Sequence, residues 1–187
     1  MLLRRNIQLV EERVLFKGRR LVLAERVYAS NGAKFKAEVV KFGEAAAIVP
    51  IKGDGKIVLI NQFRGSLNRW ILEVPAGRVN PSESPEETAR RELIEEIGYS
   101  AKKLTRLASI YMSPGYSDEI LHIFLAEDLA YVGVKREKDE IIETIELKLE
   151  EAINKCLSEK VADSKTISAL FLAQKYLSSP NSQSLLR

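Results

Sequence analysis

One cysteine and one histidine in 187 residues close off two chemistries at the outset. Cys156 has no second thiol to pair with, so no intrachain disulfide forms, and His122 alone supplies neither a His-rich zinc site nor a Cys/His cluster. Charge of either sign is nearly balanced. The 29 Lys and Arg against 26 Asp and Glu leave +3, compatible with an anionic substrate but too small and dispersed to argue for nucleic acid. No run approaches the roughly 18 apolar residues of a membrane span. The first residues, MLLRRNIQLVEER, are charged and lack the apolar core of a signal peptide. A soluble, cytoplasmic protein with no nucleic-acid or membrane partner is expected, long enough for one domain or one domain with a small appendage. These absences leave carboxylate chemistry standing.

The acidic residues are not spread evenly. Between Gly77 and Tyr99 the chain reads GRVNPSESPEETARRELIEEIGY. Ser84 suits a helix N-cap, Pro85 the first turn, Glu87 the reciprocal position of a capping box, and Gly98 the helix end, so the spacing predicts a helix over about Pro85–Ile97. At roughly 100° per residue, Glu92, Glu95 and Glu96 share one face, with Ala89, Leu93 and Ile97 as an apolar stripe beside it. Like charges three and four residues apart repel, and more so where solvent is partly shut out. A hard divalent cation such as Mg²⁺ answers that repulsion by taking carboxylate oxygens while keeping positions open for water and phosphate oxygen. A solvated acidic face neutralised by Arg90 and Arg91 answers it too.

The fixed positions of this run are Gly77, Glu83, the triplet Arg91-Glu92-Leu93, the pair Glu95-Glu96, and Gly98 followed by an apolar residue. In that order and spacing they resemble the Nudix box, the metal and diphosphate motif of the Nudix hydrolases, with Tyr99 standing where an aliphatic residue is more usual. The resemblance implies a metal held by Glu92, Glu95 and Glu96, with the Ala76 carbonyl oxygen as a further ligand. Mg²⁺ is the expected ion and Mn²⁺ the alternative. It also implies that Gly77 lets the chain turn tightly and bring backbone oxygen near the metal. Arg91 would hold Glu83 or a ligand carboxylate in place rather than touch substrate.

Around this run the chain reads as strands with few helices. Residues 1–42 alternate apolar and polar in short runs with turns at Lys17-Gly18 and Asn31-Gly32, which suggests a small antiparallel sheet bounded near Gly43. Ala45–Ile51 and Ile57–Phe63, apolar and β-branched on either side of Lys52-Gly53-Asp54-Gly55, are expected to pair as core strands. Further strands are expected at Trp70–Val74, Leu104–Tyr111, Ile120–Leu129 and Ile141–Leu147. Two helices follow, the last carrying Ile167, Leu170, Phe171 and Leu177 at helical spacing. Residues 43–180 form the main domain and 181–187 a frayed tail. Strands interleaved with helices suggest an α+β or α/β sandwich. The resemblance sharpens this to a three-layer α-β-α core with a mixed sheet, beside the N-terminal sheet.

Four further segments resemble the ADP-ribose pyrophosphatase branch of that family: Asn61-Gln62-Phe63-Arg64, the run from Arg69 to Gly77, the run from Ser113 to Glu119, and Ala162-Asp163-Ser164-Lys165-Thr166. They extend the resemblance over nearly the whole chain. It implies cleavage of the diphosphate of ADP-ribose, a small-molecule nucleoside diphosphate sugar, to AMP and ribose 5-phosphate. The rivals are a hydrolase of another nucleoside diphosphate sugar, such as a GDP-sugar, and a module that binds ADP-ribose as a sensor without cleaving it. Intact Glu92, Glu95 and Glu96 argue against the sensor.

On the substrate side the resemblance implies that Arg64 contacts a phosphate, where a guanidinium fork fixes oxygen orientation. Pro114 and Ser117, in the loop beyond the box, are the other candidates. Glu73 either orients a ligand or water or pairs with Arg69, and Trp70 reads as packing. The same resemblance places the N-terminal sheet across a homodimer interface, where Phe16, Tyr28 and Phe35 are candidates for covering the adenine. Ala37 stands where many relatives carry arginine, with Lys34 and Lys36 nearby. For catalysis the resemblance adds to Glu95 a carboxylate from the loop Lys135-Arg136-Glu137-Lys138-Asp139-Glu140. Glu140 aligns with a ligand position, Lys138 stands where the base is expected, and Glu137 or Asp139 serves instead.

Overall fold

The computed structural model describes residues 6–135 and 141–179, so Glu137, Asp139, Glu140 and the expected tail lie outside the described residues. The chain forms two compact units. One holds the residues up to Gly43 together with Tyr111–Ile120, and the other holds Glu44–Ile110 and the residues from Leu121 onward.

The first unit is a three-stranded antiparallel sheet of β1 (Gln8–Lys17), β2 (Val22–Ser30) and β3 (Ala33–Lys41), in that order. Asn31 and Gly32 both have positive φ, 51° and 80°, the conformation an Asn-Gly pair adopts in a two-residue hairpin. The segment 111–120 joins this sheet through a parallel bridge from Ser117 to Val40. Asp118 Oδ1 accepts the N–H groups of Phe42 and Gly43, at 2.7 and 3.2 Å. Tyr28 stacks on Phe35 with ring centroids 5.3 Å apart, and β1 is exposed along its whole length.

The second unit carries β4 (Glu44–Pro50), β5 (Lys56–Arg64), β6 (Arg69–Glu73), β7 (Ala76–Arg78), α1 (Pro85–Ile97), most of β8 (Tyr99–Tyr111) and β9 (Ile120–Tyr131), β10 (Ile142–Lys148), α2 (Leu149–Ser158) and α3 (Ser164–Leu177). Its strands form a four-stranded sheet ordered β7-β4-β9-β8 and a three-stranded sheet ordered β10-β5-β6. The expected pairing of Ala45–Ile51 with Ile57–Phe63 is not found. A single bridge, Ile51 to Ile57, joins β4 and β5 at their turn, and each then enters a different sheet. Both strands are buried on both faces, so either can be central. Nearness in sequence does not choose between partners.

Helices lie on both sides. On one side Ala89, Leu93 and Ile97 of α1 pack on Ala46 and Ile48 of β4, Val58 and Ile60 of β5, and Phe124, Ala126 and Ile142. The alternate β4 residues Ala45, Ala47 and Val49 are equally buried and, by the pleat, face the other way, where α3 packs on β4. This is an α+β sandwich. In α3 the buried positions are Thr166, Ala169, Leu170 and Ala173, while Phe171 is 44% exposed. The contact stripe thus runs through the expected Leu170 with the small Thr166, Ala169 and Ala173, and not through Phe171. His122, the lone histidine, is buried and satisfied. Its Nε2 lies 3.0 Å from Glu44 Oε2 and its Nδ1 2.8 Å from Ser109 Oγ. A carboxylate only accepts, so Nε2 carries hydrogen.

Candidate active site

The acidic helix forms for reasons local to its sequence. Glu87 N–H donates to Ser84 Oγ at 3.2 Å, and Ser84 N–H donates to Glu87 Oε2 at 2.7 Å, closing the capping box. Gly98 ends the helix at φ 76°, where a side chain would be strained and would meet Tyr131 and Val134. Burying the apolar stripe draws Glu92 and Glu96 in with it, to 7% and 1% exposure.

Arg91 organises these carboxylates. Its Nε and Nη2 bind the two oxygens of Glu83 at 2.9 and 3.1 Å, and Nη2 also reaches the Arg78 carbonyl at 3.1 Å. Nη1 donates to Glu92 Oε1 at 2.6 Å and Glu95 Oε2 at 2.7 Å. The guanidinium pulls the Glu83 carboxyl from its ordinary 4.5 to about 2, against the opposing effect of burial and with help from Thr88 and Asn80. For Arg91 itself, burial works against the charge, and Glu83, Glu95 and Glu92 more than reverse it. Arg90 turns away to Glu86 and the Ala101 carbonyl, so of these two arginines it is Arg91 that meets the acidic face. Glu96 Oε2 accepts the Ala76 N–H at 2.9 Å, tying β7 to the helix.

Gly77 has a different reason from the expected turn. It sits in β7 opposite Ala46 with φ outside the left-handed region, and an added Cβ would stand 1.6 Å from Glu92 Oε1. Only a residue without a side chain leaves room for the Glu92 carboxylate.

Among the described residues, no three carboxylate, histidine or cysteine side chains are gathered closely enough to enclose a metal ion. Arg91 Nη1 is the positive group between Glu92 and Glu95. The donor set still fits a hard divalent cation. Its atoms are carboxylate oxygens, two of the three side chains are buried, and one guanidinium nitrogen is shared between two of them.

A second cluster forms where β5, β6 and the start of α3 meet. Arg64 grips buried Glu73, 2% exposed, through Nε to Oε1 at 2.8 Å and Nη2 to Oε2 at 2.6 Å. Glu73 holds the Arg64 guanidinium above its ordinary range despite burial. Glu73 therefore pairs with Arg64 and not with Arg69. Lys165 Nζ also donates to Glu73 Oε2, and to Asp163 Oδ2 at 2.7 Å. Asp163 caps α3 by accepting Thr166 N–H at 3.0 Å, and Thr166 Oγ1 accepts Val74 N–H at 2.9 Å. Arg64, Glu73, Asp163 and Lys165 line a cavity of about 490 Å³ with Ser66 and Leu67.

Of the residues expected from sequence, Glu92 and Glu95 meet on Arg91, Glu96 meets Ala76, and Arg64 meets Glu73. Pro114 and Ser117 belong to the first unit, where Ser117 Oγ accepts Glu119 N–H at 3.2 Å. Sequence reasoning assigned no role to Lys165, Asp163 or Thr166. Their segment carried a resemblance, but an ion pair between residues 92 positions apart leaves no local trace.

A model of the NUDIX domain matches residues 41–170. An ADP-ribose pyrophosphatase of Bacillus subtilis is 45% identical over 159 residues, covering 83% of this chain and 86% of that protein. A GDP-mannose pyrophosphatase of Yersinia enterocolitica is 40% identical over 147 residues, covering 73% and 76%. Among solved structures, a crystal structure of an ADP compounds hydrolase aligns with a TM-score of 0.82 at 25% identity, covering 92% of this chain and 95% of that one.

Proposed function

The chain belongs to the Nudix hydrolase family, and on that premise we propose that it cleaves the diphosphate of ADP-ribose to AMP and ribose 5-phosphate, with Mg²⁺ as its metal. The observation that carries the substrate is the Bacillus subtilis ADP-ribose pyrophosphatase, 45% identical over most of both chains. Glu92, Glu95 and Glu96 would hold the ion, which when bound neutralises diphosphate charge and lowers the pKa of a bound water.

The chain's own groups do the positioning. Arg91 fixes Glu83 and orients Glu92 and Glu95, and the Ala76 N–H fixes Glu96. Arg64 spends Nε and Nη2 on Glu73, and Nη1, with no partner among the described residues, is left for a phosphate oxygen. We assign removal of the water proton to the loop carrying Glu137, Asp139 and Glu140. Pro114 and Ser117 remain substrate-side candidates.

The Yersinia relative favours a second reading, a GDP-sugar in place of ADP-ribose. A hydrolysis panel of ADP-ribose, ADP-glucose and GDP-mannose with Mg²⁺ decides between them. ADP-ribose should give the highest kcat/KM, and a preference for GDP-mannose would replace the first reading with the second. The exposed β1, with Leu9, Val10, Val14, Leu15 and Phe16 each at least two-fifths accessible, supports a homodimer through the first unit. Light scattering should give twice the 21.1 kDa chain mass, and a 21.1 kDa particle would reject it. No helix among the described residues is long and apolar enough to cross a membrane. A cytoplasmic location accords with Cys156 as a buried free thiol.

A further inference from the structure

Asp163, Lys165, Glu73 and Arg64 form a row of alternating sign, linked by hydrogen bonds from Lys165 to both carboxylates and a two-pronged grip of Arg64 on Glu73. Lys165 lies in the first turn of α3, the end of a helix that disfavours positive charge. Helix stability therefore does not account for it. Asp163 already has Thr166 N–H and Oγ1 as partners, so capping does not need a lysine either. What the lysine changes is Glu73, whose Oε2 it shares with Arg64 Nη2.

A buried carboxylate with one cation partner spends its whole charge on that cation. With Arg64 alone, Glu73 would cancel the guanidinium, and a phosphate reaching the cavity would meet a neutral pair. With Lys165 on the same oxygen, part of the Glu73 charge is taken up, and Arg64 keeps a net positive field on a side chain that Glu73 still holds in place. Both cations line the same cavity of about 490 Å³.

We propose that Lys165 is a positioning residue for diphosphate binding, acting through Glu73 to keep the fixed Arg64 guanidinium electrically available to a substrate phosphate. The proposal rests on the reading of the protein as a diphosphate hydrolase and assigns the residue that sets the strength of its phosphate grip.

The test is a double-mutant cycle on the full-length protein with Mg²⁺, reading KM and kcat for ADP-ribose separately. Lys165→Met should raise KM by about tenfold with kcat within about twofold, since uniform binding is lost and not transition-state stabilisation. Lys165→Arg should recover most of the loss. In a Glu73→Gln background Lys165→Met should add nothing further, because the group it acts through is gone. An equal KM factor in both backgrounds would mean direct contact with substrate and overturn the proposal. So would an unchanged KM with a lowered melting temperature, or a fall in kcat that matches the fall in kcat/KM. If Lys165→Met fails to fold, Lys165→Gln carries the same neutralisation. Equilibrium binding of inorganic diphosphate to the wild type and the variant is the second arm. Wild-type protein that binds diphosphate without hydrolysing ADP-ribose overturns the substrate reading, while the ratio of the two affinities still judges Lys165.

Discussion

Two charge clusters in the second unit are built on opposite balances. Around α1, one guanidinium serves the three carboxylates of Glu83, Glu92 and Glu95, and Glu96 is met by a backbone N–H. Around β6, two cations, Arg64 and Lys165, meet two carboxylates, Glu73 and Asp163. Counted over these groups of the described residues, the first has more carboxylates than cations and the second has equal numbers. A surplus of buried carboxylate raises the affinity of a place for further cation, whereas in a balanced row the field left at each cation depends on how its neighbours share the carboxylates. The proposed metal and phosphate roles thus fall on clusters distinguished by charge count.

The contrast breaks first if the surplus does not matter. Glu95→Gln or Glu96→Gln should lower kcat by at least about 10²-fold with the circular dichroism spectrum unchanged, and excess EDTA should abolish turnover. Undiminished hydrolysis in EDTA would remove the metal from the account. A steric test of the same cluster comes next. Gly77→Ala forces Glu92 to move, so kcat should fall by about tenfold or more, with about 1–3 kcal/mol of stability lost to overpacking, read from kinetics and thermal melts.

The balanced cluster should respond differently. Arg64→Lys keeps the charge and loses the fork, so KM for ADP-ribose should rise by about tenfold while kcat stays within about threefold. A kcat loss equal to that of Glu95→Gln would erase the distinction between the clusters. The smallest effect is on stability against acid. Glu83 is held at about 2 in the folded chain against an ordinary 4.5, so its contribution is present above about pH 4.5 and is lost as pH falls towards 2. Melting temperatures from pH 6 to 2 should therefore fall less steeply in Glu83→Gln than in the wild type over that window, and parallel curves would show that the Arg91 clasp adds no stability.

How far each cluster could be foreseen follows the same division. α1, its caps and its acidic face lie within one stretch of chain, where spacing alone dictates which side chains meet. That Arg91 holds Glu83 or a ligand carboxylate came instead from the Nudix-box resemblance, and it holds Glu83 together with Glu92 and Glu95. The partners of Glu73 come from β5 and α3, and nothing at Glu73 distinguishes Arg64 from Arg69, which lie opposite each other in the β5–β6 ladder. β4 and β5 misled in another way. Strands buried on both faces carry no alternation to mark their neighbours, and the turn between them suggested a hairpin the sheets do not form. Gly77 shows a third case, where the residue was singled out but its cause was crowding by Glu92 and not backbone conformation.

The exit from the acidic helix has one more consequence. Val132 N–H donates to the Gly98 carbonyl at 2.8 Å and Lys135 N–H to the Ile94 carbonyl at 3.3 Å, while Phe63 N–H, next to Arg64, donates to the Ile141 carbonyl at 3.3 Å. The chain between β9 and β10 thus departs from the helix bearing the carboxylates and lands on the strand bearing Arg64. Six peptide links give it a contour of roughly 20 Å at most. On the proposed assignment of the base to this span, inserting glycine and serine between Lys135 and Ile141 would lengthen the contour with every charge left in place, and kcat should fall with the added length.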